Sequence, residues 1–126
     1  RPWRRLKTVS SERDIPLVGS ALWGITRAYQ STNSEMLFPR YNDGVSTNSN
    51  SASAALSKWL KQQTNPDCTM HSFRHSFRDR LRAVECPIEL TDALGGWSTD
   101  GIGAAYGQGY SLQLKQKWLS AIVLKT

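Results

Sequence analysis

Residues 71–84, HSFRHSFRDRLRAV, constrain this chain more tightly than any other stretch. Phe73, Phe77, Leu81 and Val84 fall at i, i+4, i+8 and i+11, a spacing that lines one face of a helix. His71, Arg74, His75 and Arg78 fall at i, i+3, i+4 and i+7 along another face. A helix over about residues 72–84 is therefore expected, packed on one side and presenting imidazoles and guanidiniums on the other. Cys86-Pro87 ends it, because proline has no N–H to continue the ladder.

The flanking chain sorts into short elements around this helix. Residues 1–18 read as a β-hairpin: a basic first strand from Arg1 to Lys7 with Trp3 and Leu6 apolar, a Thr-Val-Ser-Ser turn, and a second strand around Arg13 to Leu17. Pro16 places that strand at an edge or at its end, and Lys7 sits at the exposed tip. Residues 20–30 read as a helix capped by Ser20, with Ala21, Leu22, Ile25 and Ala28 or Tyr29 on its apolar face. A short apolar element follows and is halted by Pro39. Residues 40–51 are rich in Asn, Ser, Thr, Gly and Asp and read as a loop, disordered or ordered only around a ligand.

Residues 51–63 read as a second helix whose buried stripe is Ala52, Ala55, Leu56, Trp59 and Leu60. After Pro87 a short helix carries Ile88, Leu90, Ala93 and Leu94, and Gly95 or Gly96 supplies a left-handed C-cap. Small residues then lead from Trp97 to Tyr106. The last helix, about 111–124, is apolar on more than one face, which points to burial on two sides. The fold class is thus mainly α with a small N-terminal β-hairpin, in one domain over residues 1–126.

Net charge is +6 and the isoelectric point is about 9.7, a balance that favours a polyanionic partner, nucleic acid first. Cys68 and Cys86 make no disulfide framework, which points to the cytoplasm. No apolar run approaches the ~20 residues that span a membrane. The chain opens RPWRRL with no Met at position 1, and reads as the middle of a gene product.

The residue types in and around the His71–Tyr106 stretch match the needs of phosphoryl transfer. A tyrosine hydroxyl, with a pKa of about 10, is a poor nucleophile at neutral pH and needs a base or a cationic site. Negative charge that spreads over phosphoryl oxygens is stabilised by guanidinium forks and fixed N–H donors. A leaving 5′ oxygen needs a proton, which a lysine can deliver. The chain offers Tyr106 as nucleophile, Arg74 as fork, Trp97 as indole donor, His71 as acid/base and Lys7 as proton donor.

The set resembles the tyrosine recombinases, the phage integrase family. KTVSSERDIPL is similar to that family's lysine hairpin, HSFRH to its H-x-x-R helix at His71 and Arg74, and GGW to its His/Trp position at Trp97. The nucleophile of the family follows nine residues later, which selects Tyr106 over Tyr110. The resemblance implies site-specific recombination of double-stranded DNA through a 3′-phosphotyrosyl intermediate, with no cofactor and no metal. It also implies a tetramer on DNA and a bacterial, nucleoid-associated setting. Arg74, His75 and Arg78 are then expected to meet DNA, with His75 supporting the site. The apolar helix at 111–124 is a candidate for exchange with a neighbouring subunit, or for packing on its own domain. The family's further catalytic arginine and its DNA-clamping domain lie upstream of the lysine hairpin. The chain is therefore expected to be the C-terminal part of a catalytic domain, inactive alone.

Two other readings compete. Cys68, His71, His75 and Cys86 have spacings reminiscent of a zinc site. A basic DNA-binding module without chemistry would also account for the charge and the 40–51 loop. GIGAAYGQG fails as a phosphate loop, since no strand precedes it and Tyr106 interrupts the glycine pattern.

Overall fold

Five helices carry the chain: α1 Gly19–Ser31, α2 Ser49–Gln63, α3 Met70–Ala83, α4 Ile88–Gly95 and α5 Leu112–Ala121. The computed structural model describes residues 11–97 and 109–124. Residues 23–75 form one compact unit; residues 11–22, 76–97 and 109–124 form a second.

The second unit holds the main core. Leu81 of α3, Cys86, Leu90 and Leu94 of α4 and Leu119 of α5 are buried together. Ile15, Val18, Phe77, Val84, Tyr110, Trp118 and Ile122 pack around them. The period read from α3 is therefore right for Leu81, Phe77 and Val84, whereas Phe73, which falls in the first unit, is exposed. α3 ends where Glu85 takes a left-handed φ of 59° and the Cys86 N–H reaches back to the Leu81 carbonyl.

α5 is shorter than the expected 111–124. Ser111 caps it by accepting from the Leu114 N–H, but the Ile122 and Val123 N–H groups turn to the carbonyls of Leu119 and Ser120, closing the helix. Arg80 of α3 donates to the Ile122 carbonyl. The helix packs on its own unit through Leu119, Trp118 and Ile122, while Leu112, Leu114, Val123 and Leu124 are exposed.

The described part of the expected hairpin is not a strand. Residues 12–18 run without strand pairing, and residues 1–10, including Lys7, lie outside the described residues. Pro16 cannot donate to a ladder. Arg13, expected in the second strand, instead donates through Nε to the Leu94 carbonyl at 3.1 Å and through Nη2 to the Gly95 carbonyl at 3.4 Å. It thus satisfies the open carbonyls at the C-terminal end of α4, where a cation is favoured. Lys115 of α5 donates to the Asp14 carbonyl at 2.9 Å, so this segment is tied to α4 by its own Arg13 side chain and to α5 by the lysine.

In the first unit α2 buries Leu60; Ala52 is half-buried, and Ala55, Leu56 and Trp59 are exposed. A 3.6-residue stripe marks a face able to be buried, and here only its C-terminal end is covered. The 40–51 loop is closed by contacts among its own residues. Asn42 and Thr47 form an isolated antiparallel bridge, and the Asn48 N–H donates to the Tyr41 carbonyl at 2.8 Å. The Asp43 carboxylate accepts from the backbone N–H groups of Ser46 at 2.7 Å and Val45 at 2.9 Å. Those donors, Ser46 first, hold its pKa below the ordinary carboxylate value. Asn48 then caps α2 by accepting from the Ser51 N–H at 3.1 Å.

Candidate active site

The first turn of α3 begins with a reciprocal pair. The Thr69 N–H donates to Ser72 Oγ at 3.1 Å, and the Ser72 N–H donates to the Thr69 carbonyl at 2.9 Å. This fixes the helix start just before the H-x-x-R motif. His71 and His75 are exposed one turn apart, their rings edge to face with centroids 5.0 Å apart. Arg74, between them, is half-buried. The first unit therefore brings His71, Arg74 and His75 onto adjoining turns of one helix.

Trp97 belongs to the second unit and follows the C-cap of α4. Gly96 adopts the left-handed conformation at φ 64° and ψ 37°. Both the Gly96 and Trp97 N–H groups donate to the Asp92 carbonyl, the latter at 3.0 Å. The chain reverses here so that the Trp97 ring lies against Gly95; a Cβ at position 95 would fall inside the ring. Phe77 of α3 stacks on Trp97 with centroids 6.3 Å apart and an interplanar angle of 26°. The Arg78 guanidinium lies 5.0 Å from the Trp97 ring centroid.

Arg78 also donates to the buried Asp92 carboxylate at 3.3 Å. Arg80 and Arg82 likewise have partners, the Ile122 carbonyl and the Asp79 carboxylate. Arg78 and Arg80 are half-buried in these contacts, and Arg82 is exposed. Asp92, Gly95, Phe77 and Arg13 all bear on Trp97 or on the helix end that presents it; of these the sequence marks only Gly95 for the helix end, as a cap, and that cap is Gly96. One signal was available: Asp92 interrupts the apolar run of Leu90, Ala93 and Leu94.

Lys7 and Tyr106 lie outside the described residues. The neighbouring Tyr110 is described. Its hydroxyl donates to Glu89 Oε2 at 3.1 Å. Partial burial first, then the hydrogen bond and negative charge of Glu89, push the phenol pKa above its ordinary value. Among the described residues no group of three or more His, Cys, Asp or Glu side chains is placed to hold a metal ion, so the zinc grouping of Cys68, His71, His75 and Cys86 is not formed. No helix among them is long and apolar enough to cross a membrane.

The model of the phage integrase family matches residues 4–111. Comparison with curated proteins and with solved structures returned no match. The matched span takes in Lys7, His71, Arg74, Trp97 and Tyr106. With most of its length inside that match, this largely helical chain belongs to the phage integrase family, a family of site-specific DNA recombination.

Proposed function

We propose that this chain is the C-terminal part of an integrase catalytic domain and that Tyr106 is its nucleophile. The phenolic oxygen attacks a DNA phosphorus, the bond from phosphorus to the 5′ oxygen breaks, and a 3′-phosphotyrosyl link forms. Arg74 and the Trp97 indole N–H hold the phosphoryl oxygens as their charge grows. His71 assists removal of the phenol proton, and Lys7 protonates the departing 5′ oxygen. Attack by a partner strand's 5′ hydroxyl reverses each step. The phosphodiester bond energy is kept in the link, so no nucleotide cofactor is required. DNA contacts from Arg74 and His75, and tetramer assembly on the duplex, belong to the same proposal.

This reading is carried by one observation: the H-x-x-R pair opens a capped helix inside a family match that spans all five residues. Tyr110 is the rival nucleophile. Its raised pKa and its bond to Glu89 make the phenolate harder to form, which supports Tyr106.

The test uses the chain extended upstream of Arg1, so that the family's further arginine is included. It is incubated in EDTA with a pool of nicked suicide duplexes of randomised sequence, and adducts are resolved on a denaturing gel. A covalent adduct is expected from the wild type and from Tyr110→Phe, and none from Tyr106→Phe. An adduct that survives Tyr106→Phe and disappears in Tyr110→Phe moves the nucleophile to Tyr110. Firm DNA binding with no adduct from any variant favours a non-catalytic DNA-binding module.

A further inference from the structure

We propose that Arg78 and Asp92 are positioning residues that lock the Trp97 indole in one orientation, a role that rests on the reading of Trp97 as a phosphate donor. An indole offers a single N–H. It serves as a fixed donor only if rotation about its side-chain bonds is blocked, because a misplacement of about 1 Å is enough to cost about 10²-fold in rate.

The surroundings of Trp97 supply that block from several directions. Phe77 stacks on the ring, Gly95 leaves the space in which it lies, and the Arg78 guanidinium covers it at 5.0 Å from the centroid. The guanidinium is itself held by Asp92, at 3.3 Å. The Asp92 side chain is only 7% exposed, and a buried carboxylate is retained only with a charged or hydrogen-bonding partner. Asp92 therefore anchors Arg78 with its carboxylate, and with its carbonyl it receives the Trp97 N–H at 3.0 Å. One residue fixes both the backbone that carries the indole and the cation that covers it.

Arg78 Nε is buried and has no hydrogen-bond partner among the described residues. A guanidinium placed for the greatest number of hydrogen bonds would not leave it so. A flat plate over an aromatic ring, pinned at one corner, has this geometry.

The first experiment is spectroscopic and uses the 126-residue chain labelled with ¹⁵N. The Trp97 indole N–H resonance is assigned from its loss in Trp97→Phe. Arg78→Met and Asp92→Asn are each expected to shift and broaden that resonance and to leave the Trp118 indole unmoved. An unchanged Trp97 resonance in both variants overturns the proposal. Arg78→Lys keeps a charge for Asp92 but lacks the planar face, and a smaller shift of the same resonance is expected. If Asp92→Asn and Arg78→Lys both unfold the chain, the pair is merely structural and the proposal falls.

The second experiment measures single-turnover cleavage by the upstream-extended chain. Arg78→Met should lose about 10²-fold in rate. The Arg78→Met/Trp97→Phe double variant should be no slower than Trp97→Phe alone, because both changes remove the same function. Additive losses overturn the proposal. DNA affinity should keep its salt slope in Arg78→Met, whereas a lost phosphate contact would lower it by about 0.9. Full cleavage by Trp97→Phe, beside a shifted indole in Arg78→Met, would remove Trp97 from the reaction and leave the positioning contact standing.

Discussion

The hydroxyl proton of Tyr110 is tied to Glu89, and that gives a prediction about pH. Its folded-state pKa lies above the unfolded value near 10. The stability it contributes is complete below about pH 10 and is lost as pH rises through the folded value. Thermal melts of the wild type and Tyr110→Phe should keep a constant separation up to about pH 9, and the wild type should lose ground above pH 10. A separation independent of pH through that range sinks the assignment. At this scale the family pattern was legible, while the roles of its residues stay with the proposal above. Phosphoryl transfer dictates residue types, and His71, Arg74, Trp97 and Tyr106 occur in a recognisable order. Asp92 stood out only as a polar break in an apolar stretch, and its partner was not legible, because Arg78 lies fourteen positions earlier and meets it through a tertiary contact.

Among the elements, the segment that precedes α2 is the clearest departure from the sequence reading. Its polar composition reads as a loop, disordered or ordered only around a ligand, and its polar groups bond to one another. Asn42 bonds both Gly44 and Thr47, Asp43 takes two backbone N–H groups, and Asn48 caps the helix. Asn48→Ala should cost about 1 kcal/mol in chemical denaturation, with reduced helical circular dichroism from fraying of α2. No measurable change would mean the cap is idle in solution. The five helices were legible from period and breakers, to within a few residues at most ends. The short apolar tail of the last one misled the reading, since 122–124 continue the apolar pattern after the helical hydrogen bonds stop. The second hairpin strand failed for a similar reason: Ile15 and Leu17 suit a strand, but Arg13 and Asp14 are committed to α4 and α5.

At the scale of the whole molecule, stability is unevenly distributed. α4 buries Leu90, Thr91, Asp92, Leu94 and Gly95, and α3 contributes the fully buried Leu81. α2 contributes Leu60 alone among its residues. Local opening follows such differences in burial. Amides of α4 should therefore exchange with deuterium most slowly, and those of the N-terminal half of α2 among the fastest helical ones. Equal protection across both helices would contradict this. Leu81→Ala should cost about 2–5 kcal/mol, through lost transfer energy and the cavity left behind.

The adjacent glycines before Trp97 fail for different reasons, and this sets how a saturation library would look. Position 96 needs a left-handed backbone, which Asn and Asp tolerate, so those two substitutions should persist at reduced frequency under selection for function. Position 95 needs empty space where the indole sits, and every other amino acid brings a Cβ. No codon change away from glycine preserves that space. Gly95→Ala should already cost about 1–3 kcal/mol as overpacking. In a selected library, column 95 should therefore be almost pure glycine beside a partly permissive column 96, and a tolerated alanine at 95 would show that the indole can move aside.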